Sequence, residues 1–177
     1  VAWNFMPMAS FVGAKNVYAY ATDREFLNST FQNMGTWTIG AANSAPVNTS
    51  LSPSSGTSSP NTARTLTTVT TDANGNSDVS KARILVNTST GTTNALYATY
   101  DAVNNLLYVF SDAGNALLGG FAPGTANTIS NSQGSLSCAG TTVTKSGNTV
   151  TVAWSLTPMA SFVGAKNVYA YATDKEG

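Results

Sequence analysis

Along residues 149–156, TVTVAWSL, apolar and polar positions alternate. Val150, Val152, Trp154 and Leu156 fall on one side, and Thr149, Thr151, Ala153 and Ser155 on the other. A period of two is that of a strand with one buried and one wet face. KARILVN repeats the pattern, with Ala82, Ile84 and Val86 expected inward and Arg83, Leu85 and Asn87 outward. ALYATYD and NLLYVFSD read as two further strands joined through DAVNN, a hairpin turn of the Asp and Asn type. GTTVTKSGNTVTV is another hairpin, with Ser146, Gly147 and Asn148 at its tip. Adding RTLTTVTTD, SLSCAG and GTWTIG brings the count to roughly eight strands with closely spaced turn signals, the pattern of an all-β sandwich. No stretch has the 3.6-residue period of a long helix. The one helical turn expected is PMASFVG, opened by Pro158 and ended by Gly164.

The chain also repeats itself. PMASFVGAKNVYAYATD stands at residues 7–23 and again at 158–174 without a substitution, an offset of 151 residues. Val1, Ala2 and Trp3 return as Val152, Ala153 and Trp154, and Glu25 returns as Glu176. A fixed period of this length implies a duplicated unit, so the chain holds one full unit and an overlap, as a slice of a longer product would. Between the copies, GAANSAPVNTSLSPSSGTSSPNTART is rich in Pro, Gly, Ser, Asn and Thr. Residues 41–64 are therefore expected to be a linker and a loosely held first strand, with a domain boundary near Ala45 and Pro46.

TVTVAWSL, PMASFVGA, KNVYAYATD and GTWTIG come in the order of strand E, a corner, strand F and strand G of an immunoglobulin-like or fibronectin-like sandwich. In this the chain resembles the Ig-like tandem repeats of large bacterial surface and secreted proteins, where phrases like VYAYATD followed by GTWTI recur once per domain. The resemblance implies an Ig-like β-sandwich in a head-to-tail array. Residues 1–40 would be the E, F and G strands that end a preceding repeat. Residues 46–177 would be a sandwich lacking its last strand, which the next repeat supplies. The antibody-type cysteine pair is missing, since Cys138 is the one cysteine.

Composition narrows the function classes. Eight basic and eight acidic residues in 177 cancel, and histidine is absent, so neither a nucleic-acid footprint nor a Cys-His metal cluster is present. No apolar run reaches the length of a membrane helix, because LLYVFSDAGNALLGGF is interrupted by Ser, Asp, Asn and Gly. Thr, Ser and Asn make up about a third of the chain, a composition suited to half-exposed sheets of extracellular or cell-surface proteins.

The chemistry on offer is sparse. TTDANGNSD sets Asp72, Asn74, Asn76 and Asp78 in alternation like the oxygen ligands of a calcium loop, although the glycine and glutamate spacing of an EF-hand is absent. The competing reading is an Asx-rich turn. Sequons at Asn28, Asn48 and Asn87 make glycans possible partners. A serine triad has no histidine, and of carboxylate pairs only Asp101 and Asp112 flank one hairpin, so catalysis is not expected. Tyr169 and Tyr171 alternate with small residues, and with Trp37 they are expected to contact a neighbouring repeat. The reading as a whole is a structural, glycosylated fibril or stalk unit whose partners are identical repeats or protomers. Its rival is a carbohydrate-binding or adhesive module that uses outward tyrosines.

Overall fold

The computed structural model describes residues 2–175 and contains strands and turns but no helix among them. The chain divides between Asn43 and Ser44 into two units.

The first unit is a two-stranded antiparallel ribbon of β1 (Gly13–Ala19) and β2 (Gln32–Ile39). Gly13 stands opposite Ile39, Lys15 opposite Trp37 and Val17 opposite Gly35, after which the register shifts and Tyr18 faces Asn33. In the loop between them, Asp23 Oδ1 accepts hydrogen bonds from the amides of Glu25 and Leu27. A lone ribbon has no second layer to bury its apolar side chains. Trp3, Phe26 and Phe31 of this unit are accordingly exposed.

The second unit is a sandwich of eleven strands. Its first sheet contains β3 (Val47–Ser52), β4 (Arg64–Thr71), β9 (Thr128–Ser130), β10 (Gly134–Ser137), β11 (Thr142–Ser146) and β12 (Thr149–Pro158). The order is β3-β4-β12-β10-β9, and β11 also pairs with β12. The second sheet contains β5 (Val79–Asn87), β6 (Leu96–Asp101), β7 (Leu106–Phe110), β8 (Leu117–Phe121) and β13 (Asn167–Asp174), in the order β13-β5-β6-β7-β8. All pairings are antiparallel.

The alternation in TVTVAWSL does what its period demands. Val150, Val152, Trp154 and Leu156 of β12 are buried against Ile84, Leu96, Ala98, Tyr100, Leu107 and Val109 of the opposite sheet. Trp154 carries an indole N–H into this core, and Thr68 Oγ1 accepts its hydrogen bond at 3.0 Å. Cys138 is a small buried core residue, as a lone cysteine near a strand is expected to be, although it sits in the turn that follows β10 and not in a strand.

Three expectations need correction. The second unit alone has eleven strands where the whole chain was expected to have about eight, because the short β8 and β9 carry too few periodic positions to be read. Gly119 and Gly120 occupy left-handed φ in β8, and a Cβ on Gly119 would lie 2.4 Å from Ile129 Cδ1 of β9. A strand broken in this way shows no alternation.

PMASFVG is not helical in either copy. It forms a single turn in which Phe162 N donates to Met159 O, as Phe11 N does to Met8 O. Pro158 O, which a helix would give to its first intrahelical bond, accepts instead from Asn61 N, and Met159 N donates to Gln133 O.

Leu85, expected outward and wet, is buried. The outer face of the β13-β5-β6-β7-β8 sheet holds a second apolar cluster of Leu85, Ala95 and Tyr97, with Phe110 and Tyr169 packed on it. Tyr97 and Phe110 stack at 4.1 Å between centroids, and the Arg83 guanidinium lies over both Phe110 and Tyr171.

Candidate functional site

The repeated segment occurs in two settings. In the sandwich, one edge of β13 pairs with β5, from Asn167 opposite Asn87 to Ala172 opposite Ala82. Its other edge has no strand ladder among the described residues. In the ribbon, the first copy pairs with β2 over Gly13–Ala19, which overlaps the counterpart of β13 at residues 16–19. The local geometry of the two copies agrees, since Lys15 sits over the Phe11 ring and Lys166 over the Phe162 ring, both at 4.7 Å. The surroundings do not. Phe162 is 8% exposed and Trp154 is fully buried, whereas their twins Phe11 and Trp3 are 50% and 76% exposed.

Beside the unpaired edge of β13 lies an open groove of about 1110 Å³. It is lined by apolar residues including Leu66, Val86, Leu96, Leu156 and Phe162, by the Pro53–Ser58 loop, and by the segment from Val163 to Val168 that leads into β13. Twins of residues in that segment pair with β2, Gly13 with Ile39 and Lys15 with Trp37. Side chains at every second position share a face. Trp37 and Ile39 therefore project on the face that carries Val17, and Val17 corresponds to Val168, which packs against the core. In the sandwich, Gly164 and Lys166, the counterparts of Gly13 and Lys15, precede β13 and line the groove.

This arrangement separates residues that were expected to act together. Trp37 lies on the face of the ribbon that carries Lys15 and Val17. Tyr169 and Tyr171 stand opposite Leu85 and Arg83 on the outer face. Tyr169 is half-buried in the second apolar cluster, and Tyr171 is exposed with Arg83 against its ring.

At one end of the sandwich, the loop from β4 to β5 meets the end of β13. One carboxylate oxygen from each of Asp72, Asp78 and Asp174 lies within 4.8 Å of the other two. Asp72 directly follows β4, and its amide donates to Asn148 O at 2.8 Å. Its Oδ1 accepts from Asn74 N at 2.8 Å, while its Oδ2 is buried without a hydrogen-bond partner. Asp174 is placed by a bulge in the β13–β5 ladder between Thr173 and Asp174, where Ser80 Oγ donates to the carbonyls of Thr173 and Asp174.

The two asparagines between the aspartates are used differently. Asn74 Oδ1 accepts from Ser44 N, and Asn76 Nδ2 donates to Gly147 O. The sequence spacing thus brings Asp72 and Asp78 together, commits Asn74 and Asn76 to loop hydrogen bonds, and leaves out Asp174, which is 96 positions beyond Asp78.

The three sequon asparagines differ in access. Asn28 and Asn48 are exposed, and Asn48 Oδ1 accepts from Thr70 Oγ1. Asn87 is half-buried, and its Nδ2 donates to Gly91 O at 2.7 Å.

Among the other polar groups, Asp101 caps the β6–β7 turn, accepting from the amides of Val103 and Asn104 and from Asn104 Nδ2, and pairs with Lys81 at 3.3 Å. Burial pushes its carboxyl up, but the Asn104 hydrogen bonds and Lys81 together outweigh that and hold it below the ordinary value. Burial, and then the charge of Asp101, pushes the Tyr100 hydroxyl up. Burial likewise raises the Cys138 thiol. No family model, curated protein or solved structure matches the chain.

Proposed function

We propose that the chain is a structural repeat of an extracellular head-to-tail array of Ig-like sandwiches, each closed by a strand of the Gln32–Ile39 type laid along β13. The observation that carries this reading is that β1, from the first copy of the repeated segment, pairs with β2, whereas β13, from the second copy, has an edge without a strand ladder. The groove next to that edge is lined by core residues and lies where Trp37 and Ile39 would project. An unpaired edge over an apolar groove is a place where a strand adds, the main-chain ladder supplying affinity and the alternate side chains supplying specificity.

The strand orders support the Ig-like assignment. β3-β4-β12-β10 follows the A-B-E-D order of such sandwiches, and β13-β5-β6 follows F-C-C′, so that strand G belongs on the outer edge of β13. The exposed Asn28 and Asn48 suit a glycan-bearing surface, and the low content of charged residues, 9%, leaves solubility to such a coat. The rival sugar-binding reading needs a platform of open rings. On the outer face of the sheet Tyr97 is buried, Tyr108, Phe110 and Tyr169 are half-buried, and the exposed Tyr171 has Arg83 against its ring, so a single open ring offers no platform.

The test is to extend the chain past Gly177 with LNSTFQNMGTWTIG and compare urea midpoints with the 177-residue chain. The extension is expected to raise the midpoint of the sandwich and to suppress self-association. An unchanged midpoint, with the added segment protease-sensitive, would overturn the reading.

A further inference from the structure

We propose that Asp72, Asp78 and Asp174 form a calcium site that ties the β4–β5 loop to the end of β13. The cluster consists of hard oxygen donors only, which suits a cation of the calcium type and not zinc or copper. Its oxygens lie within 4.8 Å of one another, the span that two calcium–oxygen bonds of about 2.4 Å cover.

The second observation is independent of the clustering. Asp72 is fully buried, yet its Oδ2 has no hydrogen-bond donor. A buried ionised carboxylate with an unmatched oxygen is costly unless a positive charge meets it. Asp174 is also buried, 5% exposed, so the cluster draws on two carboxylates taken out of water. Asp72 and Asp78 come from one loop and Asp174 from a strand far along the chain, so a bound cation would join segments distant in sequence. Calcium tolerates such irregular ligand sets and completes its six to eight oxygens with loop carbonyls and water, whereas magnesium demands a tight octahedron.

This inference concerns the single sandwich and does not depend on the array. It is tested on the full 177-residue chain stripped with a chelator. Isothermal titration with calcium chloride is expected to give one site per chain with a dissociation constant of about 10⁻⁵–10⁻³ M. At 10 mM calcium the thermal midpoint is expected to rise by roughly 5–10 °C, for a constant near the middle of that range. Asp72→Asn and the milder Asp78→Asn should each remove the calcium response. In the chelator they should melt at or above the parent temperature, since a neutral amide relieves the repulsion that calcium would offset. Absence of calcium heat and of a midpoint shift in the parent, an equal response to magnesium, or a calcium response that survives in both variants would overturn the site.

Discussion

Lys15 stands directly opposite Trp37 across the β1–β2 ladder, and Lys166, its twin, lines the groove beside the unpaired edge of β13. One pair of residues therefore records how a neighbouring strand engages the repeated segment. Trp37→Ala in the 177-residue chain is expected to leave the sandwich within about 0.5 kcal/mol of the parent, because the side chain is exposed in its own ribbon. The same change at the corresponding Trp of a strand appended after Gly177 should cost about 3–5 kcal/mol, the range for truncating a buried aromatic. Urea unfolding of the four chains checks both. Equal effects at the two positions would remove the groove as the seat of that tryptophan.

Thr68→Val keeps the shape at the centre of the sandwich and removes the acceptor of the Trp154 indole N–H. The buried N–H is then left unsatisfied, and a loss of about 1–3 kcal/mol is expected. Trp154→Phe combined with Thr68→Val removes both partners, so a double-mutant cycle should show coupling between the sites. Additive losses would place the energy in packing alone.

Cys138 is fully buried and its thiol is raised by that burial, so the nucleophilic thiolate is scarce and inaccessible in the folded chain. Iodoacetamide at pH 8 is expected to label the folded protein at least a hundredfold more slowly than the protein in urea, read by intact mass. Comparable rates would mean that the β10–β11 turn opens readily.

Asp101 has a carboxyl held below its ordinary value in the folded chain, so it contributes stability above the unfolded carboxylate range, near pH 4. That contribution is lost as pH falls through the lower folded value. Asp101→Asn is expected to cost about 1–2 kcal/mol at pH 7, mostly through the turn hydrogen bonds, since the Lys81 side chain is 36% exposed and its ion pair is screened. The difference from the parent should shrink below about pH 3. Denaturant midpoints measured from pH 2 to pH 7 report it, and a difference independent of pH would mean that the carboxylate charge plays no part.

Much of the local structure follows from the sequence by itself. Strict alternation in 149–156 marks a strand with one dry face, because side chains of a strand point to opposite sides in turn, and Val150 to Leu156 are buried on that rule. The turn chemistry is equally local. Asp101 with Asn105 and Ser146 with Gly147 sit at hairpin tips because Asn105 and Gly147 adopt left-handed φ there.

What the tertiary structure alone decided is partnership. Part of the seventeen-residue repeat forms a strand in each copy, Gly13–Ala19 in one and Asn167–Asp174 in the other, yet one pairs with β2 and the other with β5, since a ladder is made with whatever edge is brought alongside. Leu85 obeys the same alternation as its neighbours but is buried, because Tyr97, Phe110 and Tyr169 from adjoining strands cover the face that periodicity assigned to water. Asp174 meets Asp72 and Asp78 because β13 pairs with β5, which follows their loop, with a register shift between Thr173 and Asp174. Periodicity describes one strand at a time. The groove, the second cluster and the acidic tip are made between strands, so they exist only once the sheets have stacked.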